Sequence, residues 1–126
     1  MKGLELAVAL AKMSDHPQHK IGAVITSKKG DIISVGVNKM KTHPMQARFS
    51  AMTNDPMKIY LHAEIAAIIA AKGVQGHSIY IARIRRNGST GIAKPCAGCA
   101  AALQEYGIKK IYFTTSQENQ HGSISV

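Results

Sequence analysis

The sequence predicts an α/β fold, a three-layer α-β-α sandwich around one mixed five-stranded sheet. Stretches with apolar residues at helical spacing alternate with short runs rich in Val, Ile, Tyr and Phe. Two turn signals, Lys29-Gly30 and Asn87-Gly88, punctuate those runs. The chain has 126 residues, 45% of them hydrophobic, enough for a single domain over 1–126 with one core.

The first stretch, 3–14, is apolar at 4, 6, 7, 8, 9, 10 and 13 and reads as a largely buried helix that Asp15-His16-Pro17 ends. Strands are expected at 21–27 and 31–37, joined as a hairpin across Lys29-Gly30. Residues 38–60 form a long polar loop with two prolines and four methionines, with room for a short helix. A loop of that length in a small domain is usually functional or mobile. Residues 62–72 read as a helix with Ile65, Ile68 and Ile69 at helical spacing. A third strand at 77–84, a loop at 85–94 and a helix at 96–106 with Leu103 on its core face come next. A fourth strand at 108–115 and a short fifth at 123–126 close the chain, the fifth folding back antiparallel on the fourth. Strands around the two later helices should pair in parallel through right-handed crossovers, which puts both helices on one face of the sheet.

That placement matters because the chemistry is split between those helices, in His62-Ala63-Glu64 and Pro95-Cys96-Ala97-Gly98-Cys99. Together they offer one imidazole, two thiols and a carboxylate. A closed structural zinc site takes four protein ligands, whereas a catalytic one takes three and keeps a position open. The chain has only two cysteines, so a four-cysteine site is excluded. Cys96 and Cys99, three residues apart on a helix, can turn both sulfurs toward one ion. The electropositive N-terminus of that helix favours the thiolates zinc requires. Pro95 suits a helix entry, with its fixed φ and no N–H to leave unpaired. His62 supplies the third ligand. Glu64, two residues further on, leaves that helical face, so it suits proton exchange with an activated water better than ligation.

Each piece has a plainer reading: a redox pair for Cys-x-x-Cys, a cap or surface residue for His62, a dipole-complementing acid for Glu64. One zinc centre explains all three in this order; the plainer readings need three unrelated coincidences.

With 16 Lys and Arg against 7 Asp and Glu, the net charge is +9, which can attract phosphate on a nucleotide or a polynucleotide and equally makes a solvated surface. There is no Trp, and with two Phe and four Tyr no stacking platform for single strands is evident. No apolar run approaches the length of a membrane span, and the N-terminus lacks a signal peptide's pattern. A cytoplasmic protein with reduced thiols is therefore expected.

On these motifs the chain resembles the cytidine deaminase-like superfamily over nearly its whole length. His-x-Glu followed by Pro-Cys-x-x-Cys is the known signature of zinc-dependent nucleobase deaminases. Gly22-Ala23-Val24-Ile25, Gly36-Val37-Asn38 and Gly107-Ile108-Lys109-Lys110-Ile111 add weaker matches. The resemblance implies the deaminase fold, Zn2+ on His62, Cys96 and Cys99, and Glu64 as the catalytic proton shuttle. It also implies a pyrimidine contact from the Ala63 N–H and a sugar or base contact from Asn38, which reads equally as a strand-ending turn residue. The implied reaction is hydrolytic loss of ammonia from an aminated base.

A histidine as first ligand points away from free-cytidine enzymes and toward deoxycytidylate or tRNA-adenosine enzymes. The short segment after the fourth strand points away from the latter, while an antiparallel last strand points back to the free-nucleoside branch. A cytosine nucleotide, deoxycytidylate, is the substrate expected, with Lys39, Lys41, His43, Arg48 and Lys94 as candidates to reach its phosphate. Each of these also reads as a solvated surface residue. A polynucleotide-acting deaminase, a free-nucleoside cytidine deaminase and a non-catalytic zinc module are the alternatives. A homo-oligomer is expected from the resemblance.

Overall fold

The computed structural model describes residues 1–53 and 60–126. The chain runs α1 (Lys2–Ala11), β1 (Lys20–Thr26), β2 (Ile32–Val37), α2 (Pro44–Met52), α3 (Ala63–Ala70), β3 (Ser78–Ile84), β4 (Thr90–Gly91), α4 (Ala97–Tyr106), β5 (Lys110–Thr114) and β6 (His121–Ser125). The sheet order is β2-β1-β3-β5-β6, with β4 paired to β3. As expected, β1 and β2 are antiparallel, β3 and β5, which flank α4, pair in parallel, and β6 folds back antiparallel on β5. The strands β2 and β3, which flank α3, do not pair as expected, because β1 lies between them and pairs antiparallel with both. Among the described residues no helix is long and apolar enough to cross a membrane.

β1 is buried from Gly22 to Thr26 because both its faces are covered. Successive strand residues point to opposite faces. Val24 packs with Ala7 and Ala82 beneath α1. Ala23 and Ile25 join Ile65, Ile79 and Leu103 in the larger core beneath α3 and α4. Two glycines set the spacing of these layers. A Cβ at Gly22 would strike Ala7 O and Ala11 N of α1, and one at Gly36 would strike Ala63 O and Ala67 N of α3. The Ser34 hydroxyl donates to Ala67 O at 2.7 Å and fastens β2 to α3 on the same side. Of the three isoleucines at helical spacing in that helix, Ile65 and Ile68 are buried, whereas Ile69 is 37% exposed.

The sheet has six strands where five were expected, because Thr90-Gly91 forms β4 inside the predicted 85–94 loop. A two-residue strand carries no periodicity to detect. It forms because β5 pairs with β3 only as far as Phe113 with Ile81, leaving Arg83 and Ile84 to pair with Gly91 and Thr90. Thr114 joins the pieces. Its hydroxyl accepts from Arg83 N at 3.0 Å and donates to Gly91 O at 2.8 Å, and its carbonyl accepts from Ala93 N at 3.0 Å. The approach to Pro95 is thereby tied to the sheet.

The expected 38–60 loop contains α2, with Pro44 in its first turn and the His43 Nδ1 accepting from Met45 N at 3.1 Å as its cap. Residues 54–59 of that loop lie outside the described residues. Its two ends are stitched together where Lys39 N donates to Leu61 O and Leu61 N to Lys41 O.

The close approach of β2 to α3 makes Gly36→Ala a test of this layering. Its new methyl meets backbone that cannot rotate away, so denaturant unfolding should show a loss of about 1–3 kcal/mol, the usual cost of overpacking.

Candidate metal centre and its cavity

The functional side chains sit at the N-termini of α3 and α4, which meet above the sheet. His62 is the N-cap residue of α3, in extended conformation at φ −83° and ψ 155°. Cys96 is the N-cap residue of α4, at φ −68° and ψ 168°, so Pro95 stands one residue before the cap and not inside the first turn. Cys99 is fully buried within that first turn, while Cys96 is partly exposed. His62 Nδ1 lies 3.2 Å from Cys99 Sγ and 3.6 Å from Cys96 Sγ. The three ligand atoms fall within 4.8 Å of one another. One nitrogen and two sulfurs at such separations are the donor set of a zinc site, and three donors leave a position open, so the residues fit the metal.

The two thiols are not equivalent. Cys96 is pulled down to about 3, first by the hydrogen bond from Cys99 and further by His62, against the effect of burial. Cys99 is pushed well up by the same contact and by burial. One proton is thus held between two sulfurs, and a dication placed there would displace it. Glu64, in the first turn of α3, is 5% exposed, and burial raises its carboxyl above the ordinary value while the neighbouring His62 works the other way. Burial thus favours the protonated form of a carboxyl that stands beside the metal ligands, where proton exchange is needed.

The orientation of His62 depends on a residue the sequence reading missed. Gln46 of α2 is fully buried; its Oε1 accepts from His62 N at 3.0 Å and its Nε2 donates to Ser50 Oγ at 3.2 Å. An isolated glutamine in a polar segment gives no signal of this. α2 lies close enough to α4 that a Cβ at Gly98 would come within 3.3 Å of Phe49 O. The same short helix therefore braces both halves of the centre.

A cavity of about 410 Å³ opens beside the cluster, with His62, Glu64 and Cys96 on its wall. Ile21 and Ile81 form apolar wall, Ile92 stands at the exposed rim, and His19, Arg83 and Lys94 bring nitrogen donors. Of the cations that the sequence offered for a phosphate, Lys94 lines this cavity. Lys39, Lys41, His43 and Arg48 do not line this cavity. His43 caps α2, and Arg48 pairs with Glu105 at 3.0 Å. Ala63 opens α3 fully buried, at the end where a helix's first N–H groups lack internal acceptors. Asn38 is buried outside the cavity but holds one of its walls. Its Oδ1 accepts from Ile21 N at 2.9 Å and Ser14 Oγ at 2.6 Å, and its Nδ2 donates to His19 O at 2.6 Å. His19 and Arg83 are the cavity residues that no motif announced.

The family model for the cytidine and deoxycytidylate deaminase zinc-binding region matches residues 1–115. The chain is 33% identical over 119 residues to an Aliivibrio fischeri protein described as an uncharacterized deaminase in the luxG 3' region, covering 91% of this chain and 71% of that one. Among solved structures it is similar to cytidine deaminase from Burkholderia pseudomallei, with TM-score 0.68 and 18% identity over 98% of this chain and 90% of that one. It is also similar to cytidine deaminase from Mycobacterium leprae, with TM-score 0.62 and 20% identity over 97% and 90%. At these identities the structures show a shared fold.

Replacing Gln46 with Leu should leave the His62 N–H buried without its acceptor, at a cost of about 1–3 kcal/mol. Zinc titration of that variant, followed by thermal unfolding with and without metal, should show weakened metal retention as well as a lower midpoint. An unchanged zinc affinity would reduce Gln46 to a packing residue.

Proposed function

The chain belongs to the cytidine and deoxycytidylate deaminase zinc-binding family, and from that premise we propose that it deaminates a cytosine nucleotide, deoxycytidylate, to the uracil nucleotide. That it is a zinc-dependent deaminase follows from the family match and the His62, Cys96 and Cys99 cluster. The nucleotide reading is carried by the composition of the cavity. His62, Glu64 and Cys96 stand on one wall, His19, Arg83 and Lys94 are the nitrogen donors elsewhere, and Glu64 is the sole carboxylate among the described lining residues. Its volume of about 410 Å³ lies in the range of small-molecule sites.

In this proposal His62, Cys96 and Cys99 hold the zinc, which when bound supplies a Lewis acid able to bring the pKa of a water to about 7. The chain's own groups do the rest. Ile21, Ile81 and Ile92 offer apolar surface for the base and keep bulk water from it. The Ala63 N–H, at the start of α3, is available to the pyrimidine carbonyl. Glu64 takes a proton from the attacking water and delivers it to N3 as the water's oxygen joins C4. It then carries the second proton to the exocyclic amine as the C4–N bond breaks and ammonia leaves. The steps consume one water, and no oxidant or reductant is needed.

One further observation favours a second reading, a deaminase acting on polynucleotides. A groove of about 420 Å³ lined by Lys12, Lys20, Arg85 and Arg86 lies at the same end of β1 and β3, where Lys20 pairs with Ile84, on the sheet face opposite Ile21 and Ile81. No Phe, Tyr or Trp lines either space, which weighs against stacking of a single strand. Turnover of an oligonucleotide that falls steeply with salt, with silence on monomers, would favour this second reading.

Glu64→Ala should keep its zinc while kcat falls at least about 100-fold, the lower bound for a general acid–base group. Cys99→Ala should lose zinc and unfold at lower temperature, because metal binding is coupled to folding. Metal analysis and ultraviolet-monitored deamination of deoxycytidine and deoxycytidylate check both. Equal rates on the two substrates would sink the nucleotide assignment.

A further inference from the structure

Net charge alone does not say where an anion sits, but one cation in the cavity is unlike the rest. Arg83 lies near the end of β3, on the face it shares with Ile81 and, across the strand pair, with Ile21. Among the described residues it has no carboxylate partner; the ion pair they contain is Arg48 with Glu105. Its Nε is buried with no hydrogen-bond partner. Leaving a buried donor unpaired is costly, more so on a charged group. The stem is confined as well, because a Cβ at Gly91 would come within 3.2 Å of Arg83 Cδ. One Nη2 hydrogen is directed at His19 Nδ1, 2.8 Å away. A guanidinium can only donate, so His19 accepts there, and its neutral ring carries its proton on Nε2 as another donor. Asn38 and His16 fix the His19 backbone in turn. The arrangement is a guanidinium braced through Nη2 whose Nε has no acceptor.

We propose that Arg83, braced by His19, is the phosphate-recognising residue of this cavity, receiving the phosphate ester of a nucleotide on its guanidinium fork with Lys94 as a second cation. Planar two-point recognition of phosphate is what arginine does and lysine does not. The loop residues Lys39, Lys41, His43 and Arg48 are thereby relieved of that role. This assignment rests on the nucleotide reading above.

The test compares zinc-loaded wild type, Arg83→Gln and Arg83→Lys on deoxycytidine and deoxycytidylate, with calorimetric titration of inorganic phosphate. The ratio of kcat/KM for deoxycytidylate to that for deoxycytidine should fall about 10- to 100-fold in Arg83→Gln, the size of a lost charge-assisted contact. The fall should lie in KM, and Arg83→Lys should recover part of it. Using the ratio cancels any common loss from altered packing. Phosphate should compete with deoxycytidine in the wild type and bind more weakly to Arg83→Gln. Equal losses on both substrates would overturn the proposal while leaving the nucleotide reading standing. A wild type indifferent to the substrate phosphate would remove the nucleotide reading; Arg83-dependent binding of inorganic phosphate would still support the subsite, and its absence would overturn it. Arg83-dependent turnover of a single-stranded oligonucleotide, with none on deoxycytidylate, would overturn the assignment to a nucleotide.

Discussion

The 3.2 Å between the His62 imidazole and the Cys99 sulfur is the distance on which the rest of the structure depends. Its two residues lie 37 positions apart and belong to different helices, so the backbone must bring two helix N-termini together. The parallel pairing of β3 with β5 puts α4 on the sheet face that α3 already covers. Small residues set the remaining spacing: Gly36 beneath α3 and Gly98 between α4 and α2. Gln46 then fixes the last degree of freedom by holding the His62 backbone. Four acidic or metal-binding groups, His62, Glu64, Cys96 and Cys99, stand at two electropositive helix ends, where the helix dipole favours anionic groups.

What could be read from the sequence divides along physical lines. The zinc motifs and the helices that carry them are legible because ligand type and i to i+3 spacing are local properties, as at Cys96 and Cys99. The order of helices and strands is legible from periodicity, and the hairpin pairing of β1 with β2 from its turn. β4 was not, because Thr90 and Gly91 pair only where β5 stops short, a fact of tertiary register. Gln46, Thr114 and Arg83 were not, because one amide, one hydroxyl and one cation among many look like solvated surface until a partner from a distant segment is known. Arg48 shows the converse: a cation that looked able to reach a phosphate is paired with Glu105 across 57 residues.

The charge of +9 becomes informative only when it is localised. An exposed lysine is well solvated and contributes little to stability or recognition. Arg83 differs because its Nε is shut away from water and from every described acceptor. The cavity also separates charge by role: among the described lining residues the carboxylate is Glu64, beside the metal ligands, and the cations Arg83 and Lys94 lie outside the two helices. In the proposed reading, an anionic substrate drawn to those cations would keep its charge off Glu64, whose proton transfers a nearby phosphate would oppose.

This division has a consequence for the substrate. The chemical wall is built from helix N-termini braced by α2, and its parts are coupled through hydrogen bonds to backbone. The other wall comes from the residues before and within β1, the end of β3 and the segment from Ile92 to Lys94, held by Asn38 and Thr114. His19, Arg83, Ile92 and Lys94 line the cavity and are neither members of the metal cluster nor Glu64. That independence is why the two motifs alone announce a zinc deaminase yet leave its substrate open, and why the discriminating residues had to be sought in space and not along the chain.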